Sequence, residues 1–330
     1  MTKIVKILMI WLLSVTVPAA AQGVRYTISA KNAETVLHTE NIRQTVEYLA
    51  SPSLGGRAVG TDGSRKAAAW LEDQFMDLHL EPLGGAWMHG FRTAGFFGRN
   101  ILGLIPGTAR PGRYVVVMAH FDNLGQLGDN FYPGADSNAS GVAALLEVAR
   151  MFYHMKECRK TYGSGLIVAA LDGKEKDLAG ASDLWRLVEQ GKLKDPVSGE
   201  NITPEQIALA VNLDQLGSSL APLTKGNPHY LMMLSEEATG RRNTLENLNR
   251  DLGIGLELGF DYYGSKDFTN LFYRRISNQR VFLEHEIPAV MFTSGITMNN
   301  NKVTDTPETL DYPLLRKRIQ LIFYWLEKIL

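Results

Sequence analysis

The chain has 330 residues, with 34 Lys and Arg against 35 Asp and Glu and a formal net charge of −1. No basic stripe or long run of like charge occurs in it, which argues against nucleic acid as a partner. The single cysteine, Cys158, excludes an intrachain disulfide, so the fold must rest on a core large enough to hold itself.

From the amino end, "MTKIVK" is basic, "ILMIWLLSVTV" is apolar and "PAAAQG" ends in small residues. This order predicts a secretory signal peptide over residues 1–21, cleaved after Ala21, and hence a periplasmic or secreted protein. The apolar part is too short to span a bilayer comfortably; a retained N-terminal anchor is the competing reading. No repeat or low-complexity linker follows, and residues 22–330 are expected to form one domain.

Next comes a helical pattern over 64–80, with Ala67, Leu71, Phe75 and Leu78 on one face. Four apolar runs predict buried strands: "RYVVVMAH" (113–120), "GLIVAAL" (165–171), "IALAVNLD" (207–214) and "IPAVMFTSG" (287–295). None alternates with polar residues, as suits central strands covered on both faces. Further helices are expected over 138–155 and 311–330, the last with Pro313 near its start. Strands alternating with helices predict an α/β fold, a sheet with helices on both faces.

Ligands of such sheets bind beyond the carboxyl ends of the strands. Those ends carry His120 with Asp122, then Glu175, then Asp214, and Asp136 stands just ahead of the 138–155 helix. A strand-terminal Asp is more often a turn former than a ligand, and a lone His is more often structural. Three acidic or imidazole ends at one edge change that balance, because imidazole and carboxylate together suit zinc.

Seven stretches carry a resemblance: "LGGRAVGTDGSRKAAAWLEDQF", "NILGLIPG", "VVVMAHFDNLG", "YPGADSNASGVAALLEVAR", "LDGKEKDLAGAS", "AVNLDQLG" and "IPAVMFTSG", followed by "TDTPETLDYPLL". With them the chain resembles the M28 zinc-dependent exopeptidases, which include leucyl aminopeptidases and are related to glutaminyl cyclases. The resemblance implies a mixed, mainly parallel sheet of about eight strands between helices. It also implies two zinc ions bridged by an aspartate and a water, with peptides as substrates. Carried over residue by residue, it makes His120 a zinc ligand and Asp122 the partner that orients its imidazole. Asp136 becomes the bridging aspartate, Asp214 the ligand completing the site of His120, and Glu175 the carboxylate of the other metal.

Two positions depart from the resemblance. Active relatives carry Glu-Glu where this chain has Lys174-Glu175; the first glutamate accepts the proton of the metal-bound water. Relatives also place a histidine ligand where this chain has Asn301, and an amide oxygen is a poor substitute on zinc. His285 lies before the last strand, at the far edge of the sheet, and is read as structural. The expectation is therefore at most one firmly held zinc, on His120, Asp136 and Asp214. The Lys174 ammonium either partly replaces the missing cation near Asp136 and Glu175 or points to solvent. The leading function is a zinc-dependent aminopeptidase that hydrolyses N-terminal residues from peptides, attenuated or not; a pseudo-peptidase that binds peptides without cutting them is the alternative, and a glutaminyl-cyclase-like transferase ranks last. Asp172, Asp177 and a Lys174 with depressed pKa are candidate substitute bases. Tyr262, Tyr263, Phe268 and Phe272 either line a specificity pocket or pack the core.

Overall fold

The computed structural model describes residues 30–330 except Ala94, Glu237, Ala238 and Tyr263; the leader expected over 1–21 lies outside the described residues. The elements run α1 (Thr39–Leu49), α2 (Asp62–Asp77), β1 (Glu81–Pro82), β2 (Met88–Thr93), β3 (Phe96–Ile105), β4 (Tyr114–His120), β5 (Gly125–Leu127), β6 (Asn130–Tyr132), α3 (Ser140–Glu157) and β7 (Gly165–Leu171). They continue with α4 (Ala179–Glu189), β8 (Ile207–Leu213), β9 (Tyr230–Leu234), α5 (Thr239–Asp251), β10 (Glu257–Gly259), α6 (Lys266–Arg275), α7 (Gln279–Glu284), β11 (Ala289–Thr293) and α8 (Tyr312–Ile329).

Nine of these strands form one sheet in the order β1-β3-β7-β4-β8-β11-β9-β10, with β2 on the same edge of β3 as β1. The four central strands, β7, β4, β8 and β11, run parallel. β3 on one side and β9 on the other run antiparallel to them. Each of the four predicted strands is present within a residue or two of its expected bounds, and all four are the parallel centre. The sheet has nine strands where about eight were expected.

The apolar runs are continuous because each strand is buried twice. In β4, Val115, Val117 and Ala119 face one core layer and Tyr114, Val116 and Met118 the other. β7 divides the same way, Leu166, Val168 and Ala170 against Ile167, Ala169 and Leu171. The first layer is closed by α1, α2, α3 and α8, the second by α4 and α7. Helix α2 buries the expected Ala67, Leu71 and Phe75, and the Thr61 side chain caps it by accepting the Ser64 N–H. Helix α8 opens on an Asp311 cap at 2.9 Å from the Leu314 N–H. Among the described residues no helix is long and apolar enough to cross a membrane.

The topology fixes where chemistry can occur. Parallel neighbours end at one edge, so His120 at the end of β4, Asp172 just after β7 and Asp214 just after β8 emerge side by side. Helix α4 begins close against the end of β7. A Cβ on Gly180 would stand 2.2 Å from the Asp172 carbonyl oxygen, so only glycine allows that approach.

Candidate functional site

The edge is organised around Asp122. Its carboxylate accepts the Lys174 N–H at 2.9 Å on one oxygen and the Glu175 N–H at 3.1 Å on the other. Its backbone carbonyl lies 3.0 Å from Nδ1 of His120. A carbonyl oxygen only accepts, so Nδ1 carries a hydrogen and Nε2 is turned the other way. Nε2 lies 3.6 Å from Oδ1 of Asp214. The second Asp214 oxygen accepts a bond from the Ser277 hydroxyl, and Ser277 in turn accepts the Asn212 amide at 3.0 Å. His120, Asp122 and Asp214 are all buried.

Charge is concentrated here. Burial opposes the His120 imidazolium, but the Asp122 and Asp214 carboxylates outweigh it and raise its pKa to about 9. Burial would raise the pKa of Asp214, yet His120, Lys174 and Ser277 hold it below the usual carboxylate range. The Lys174 ammonium lies 2.8 Å from Oε1 of Glu175 and is largely withdrawn from solvent. Burial works against its charge as well, and Asp214, Glu175 and Asp122 reverse the effect, so its pKa is raised. Lys174 does not point to solvent.

Asp136 was expected to complete a zinc triad with His120 and Asp214; one oxygen of its carboxylate is engaged by the turn that starts α3, while Oδ2 is buried without a hydrogen-bond partner. Oδ1 accepts the Gly217 N–H at 2.7 Å and the Ser140 hydroxyl at 2.9 Å. The backbone N–H groups of Asp136 and Ser137 are held by the Asp305 carboxylate at 2.8 and 3.0 Å. Burial first, then the Asp305 charge, raises the pKa of Asp136 to about 7. Asp136 thus serves the turn that starts α3. The Lys174 ammonium, expected beside Asp136 and Glu175, sits instead with Glu175, Asp214 and Asp122.

The remaining expected residues are spread out. Asn301 is exposed, in a turn with φ of +57°, while its neighbour Asn300 accepts the Gln215 amide. Asp172 turns to the Ser64 hydroxyl and the Arg99 N–H, and Asp177 is exposed 3.5 Å from Arg280; neither is directed at His120. His285 stacks on Trp185 at 4.4 Å, at the amino side of β11 and away from the site edge. Tyr262 and Phe272 stack at 4.5 Å and are buried, so they pack, while Phe268 is exposed; Tyr263 lies outside the described residues.

Three supporting residues were not foreseen. Ser277 fixes Asp214. Arg57, wholly buried, donates to the carbonyls of Phe121 at 2.7 Å, Pro133 at 2.7 Å, Gly134 at 3.0 Å and also Leu49. Asp305 ties the 136–137 turn to the C-terminal third. An arginine set among glycines in "LGGRAVG" is the one such signal the sequence offered, since a buried guanidinium needs carbonyls that only backbone turns present.

The donor set can be tested against zinc. Nε2 of His120, Oδ1 of Asp214 and Oδ2 of Asp136 are buried without a hydrogen-bond partner. Two ligand atoms of a tetrahedral zinc stand about 3.4 Å apart, so the 3.6 Å between Nε2 and Oδ1 suits a pair of ligands. A pair is short of the three protein ligands of a catalytic zinc. Among the described residues no group of three or more His, Cys, Asp or Glu side chains is gathered to hold a metal ion. Glu175 is ion-paired to the Lys174 ammonium. The residues as arranged do not fit the zinc centre that the resemblance implies.

A mainly parallel sheet between helix layers, with an acidic and imidazole cluster at its carboxyl edge, is the architecture of the zinc exopeptidases. Residues 100–326 match Peptidase family M28, and the chain belongs to that family. A probable zinc metalloprotease of Pyrenophora tritici-repentis is 26% identical over 250 residues, 71% of this chain and 52% of that protein. The chain therefore spans about half the length of that relative. The LapA aminopeptidase of Legionella pneumophila has a similar fold, with a TM-score of 0.68 at 18% identity over 91% of this chain and 74% of its own. BSAP, a zinc aminopeptidase from Bacillus subtilis, gives 0.66 at 13% identity over 89% and 95%.

Proposed function

We propose that this chain is an exported, peptide-binding M28 protein in which the hydrolytic machinery is not assembled. Residues 22–330 act as one peptidase-type domain behind a leader at 1–21. Family membership supports peptides as the ligand class. The observation that carries the reading is the Lys174 ammonium ion-paired to Glu175 at 2.8 Å, where hydrolysis calls for a proton acceptor and an open metal position. Asp172 places one oxygen on the Ser64 hydroxyl and the Arg99 N–H, and Asp177 is exposed beside Arg280, so neither takes the place of the base. The peptide site is the carboxyl edge of β4, β7 and β8. Beside it Ile296, Met298 and Val303 expose apolar side chains after β11, and Phe268 and Leu271 do so on α6. The Tyr262 hydroxyl accepts the Ile296 N–H at 2.7 Å and links the two segments, so they form one apolar rim suited to peptide side chains.

A second reading is favoured by the unpartnered His120 Nε2 and Asp214 Oδ1: a strongly attenuated aminopeptidase holding a single zinc on that pair. Zinc would polarise the scissile carbonyl and supply a nucleophilic water. His120 would be held for it by the Asp122 carbonyl and Asp214 by Ser277. Purified protein should be titrated with dipeptides and aminoacyl-nitroanilides, with and without chelator, alongside metal analysis. Saturable binding without turnover is expected. Turnover that a chelator abolishes would replace the first reading with the second.

A further inference from the structure

We infer that the β2–β3 hairpin is a docking arm for the acidic part of a peptide, with Arg92, Arg99 and Lys176 as the groups that receive its carboxylates. The inference rests on the peptide-binding reading and names the class of peptide.

The arm follows from the strand register. β7 pairs with β3 only as far as Ala170 with Ile101, and residues 96–100 pair with β2 alone. The two strands thus run on past the carboxyl end of β7 and overhang the edge that carries His120 and Asp214. A Cβ on Gly90 would meet the Phe97 ring at 2.5 Å, and one on Gly98 the Phe91 ring at 2.2 Å, so each ring lies across a glycine of the other strand.

Cations gather on the rings of this arm. The Arg99 guanidinium stands 4.6 Å from the Phe97 centroid and that of Arg92 5.5 Å. The Lys176 ammonium, from the turn after β7, stands 5.9 Å from the Phe96 centroid. A ring attracts a cation but leaves its charge uncompensated. Among the described residues none of the three forms an ion pair through its side chain. The nearby carboxylates are already taken, Asp183 by Arg186 and Asp177 by Arg280 at 3.5 Å. Between the arm and the start of α4 lies a cleft of about 390 Å³, lined by Arg92, Lys176, Ser182 and those two paired aspartates, a size that suits a ligand. β3 is two strands from β4 in the sheet, about 10 Å at the usual spacing. A peptide whose end rests over His120 and Asp214 therefore reaches the arm about three residues later in extended form. An anionic bilayer is the other partner of matching charge, but a bilayer anchor needs apolar side chains that stand clear of the surface. Here Phe91 is buried, Phe96 is half-buried and Phe97 is capped by two guanidiniums, which favours the peptide.

The test is fluorescence-anisotropy titration of the full chain, with chelator present, using labelled Leu-Ala-Ala-Glu-Glu-Glu and its Gln and Lys counterparts. The Glu peptide should bind about tenfold tighter than the Gln peptide at low salt, the sum of three exposed ion pairs, and the preference should shrink at about 0.5 M salt. In Arg92→Gln/Arg99→Gln/Lys176→Gln the two should bind within about twofold of each other, with affinity for the Gln peptide unchanged. Arg250→Gln, an exposed arginine on α5, should keep the wild-type preference. Equal binding of the Glu and Gln peptides by the wild type, or a preference that survives in the triple variant, overturns the inference and leaves the peptide-binding reading standing. Binding of none of the three peptides refutes that reading and the inference with it. Should the triple variant not fold, Arg92→Glu decides in its place and should cut the preference at least about threefold. The wild type should not sediment with phosphatidylserine vesicles; sedimentation that the triple variant loses would assign the arm to a bilayer and overturn the inference.

Discussion

Asp122→Asn should loosen the whole edge without changing its shape or volume. The aspartate is fully buried and accepts two backbone N–H groups, one on each oxygen, at 2.9 and 3.1 Å. An amide can accept only one of them; its NH₂ group would face the other as donor against donor. Hydrogen bonds to an ionised acceptor contribute about 1.5–3 kcal/mol each, and a buried donor left unpaired costs about 1–3 kcal/mol. The substitution weakens one bond by removing its charge and orphans the other N–H, a loss of about 3 kcal/mol. One term opposes it. The Asp122 charge helps hold the neighbouring Asp172 above the usual carboxylate range, after burial itself, and a neutral amide relieves that repulsion. The net expectation is a loss of about 2–3 kcal/mol, read from urea unfolding followed by far-UV circular dichroism, with an unchanged denaturant slope. A change below about 0.5 kcal/mol, the size of an ordinary surface substitution, would refute the role given to Asp122 as the anchor of residues 174 and 175.

Arg57→Met should cost about 3–5 kcal/mol in the same experiment, because burial lowers this pKa only to about 10 and a charged group with four carbonyl partners is lost; near-wild-type unfolding would contradict it. Phe152, buried in edge contact with Tyr162 at 5.2 Å and tilted against Phe323 at 4.8 Å, should on replacement by Ala lose about 3–5 kcal/mol through the cavity left behind, measured by urea midpoint. Glu147 sets a pH dependence. Burial raises its pKa from 4.5 to about 7, against the pull of Arg150. Within that window the folded chain keeps a proton that the unfolded chain has lost, so stability falls as pH rises through it. Glu147→Gln should flatten the fall between about pH 5 and about pH 8 and stabilise the protein at the upper end by about 2 kcal/mol, after discounting the weakened Arg150 contact. A variant whose unfolding free energy keeps the wild-type slope with pH would show that this carboxyl is not the group responsible.

What could be read from the sequence divides along a physical line. β4, β7, β8 and β11 were legible because two-sided burial demands apolar residues at every position, and composition records that demand. β9, "YLMML", is as fully buried but only five residues long, and β10 beside it is shorter and half-buried, so neither was separated out. The strand ends His120 and Asp214 were legible for a related reason: parallel topology alone brings them together. Asp136 was not, because nothing in "GADSNASG" says which way a carboxylate turns. One of its oxygens is fixed by the Ser140 hydroxyl and by the Gly217 N–H, 81 residues on, while Asp305, 169 residues on, holds the backbone N–H. Lys174 shows the same division within one residue. Its identity and its departure from Glu-Glu are visible in sequence, whereas its inward direction follows from Asp122, which lies 52 residues earlier and holds the turn by two N–H groups. The carboxylate that pins the turn also sits behind His120. An exchange of one side chain at position 174 therefore changes the sign of the charge presented to a scaffold that has no reason to move.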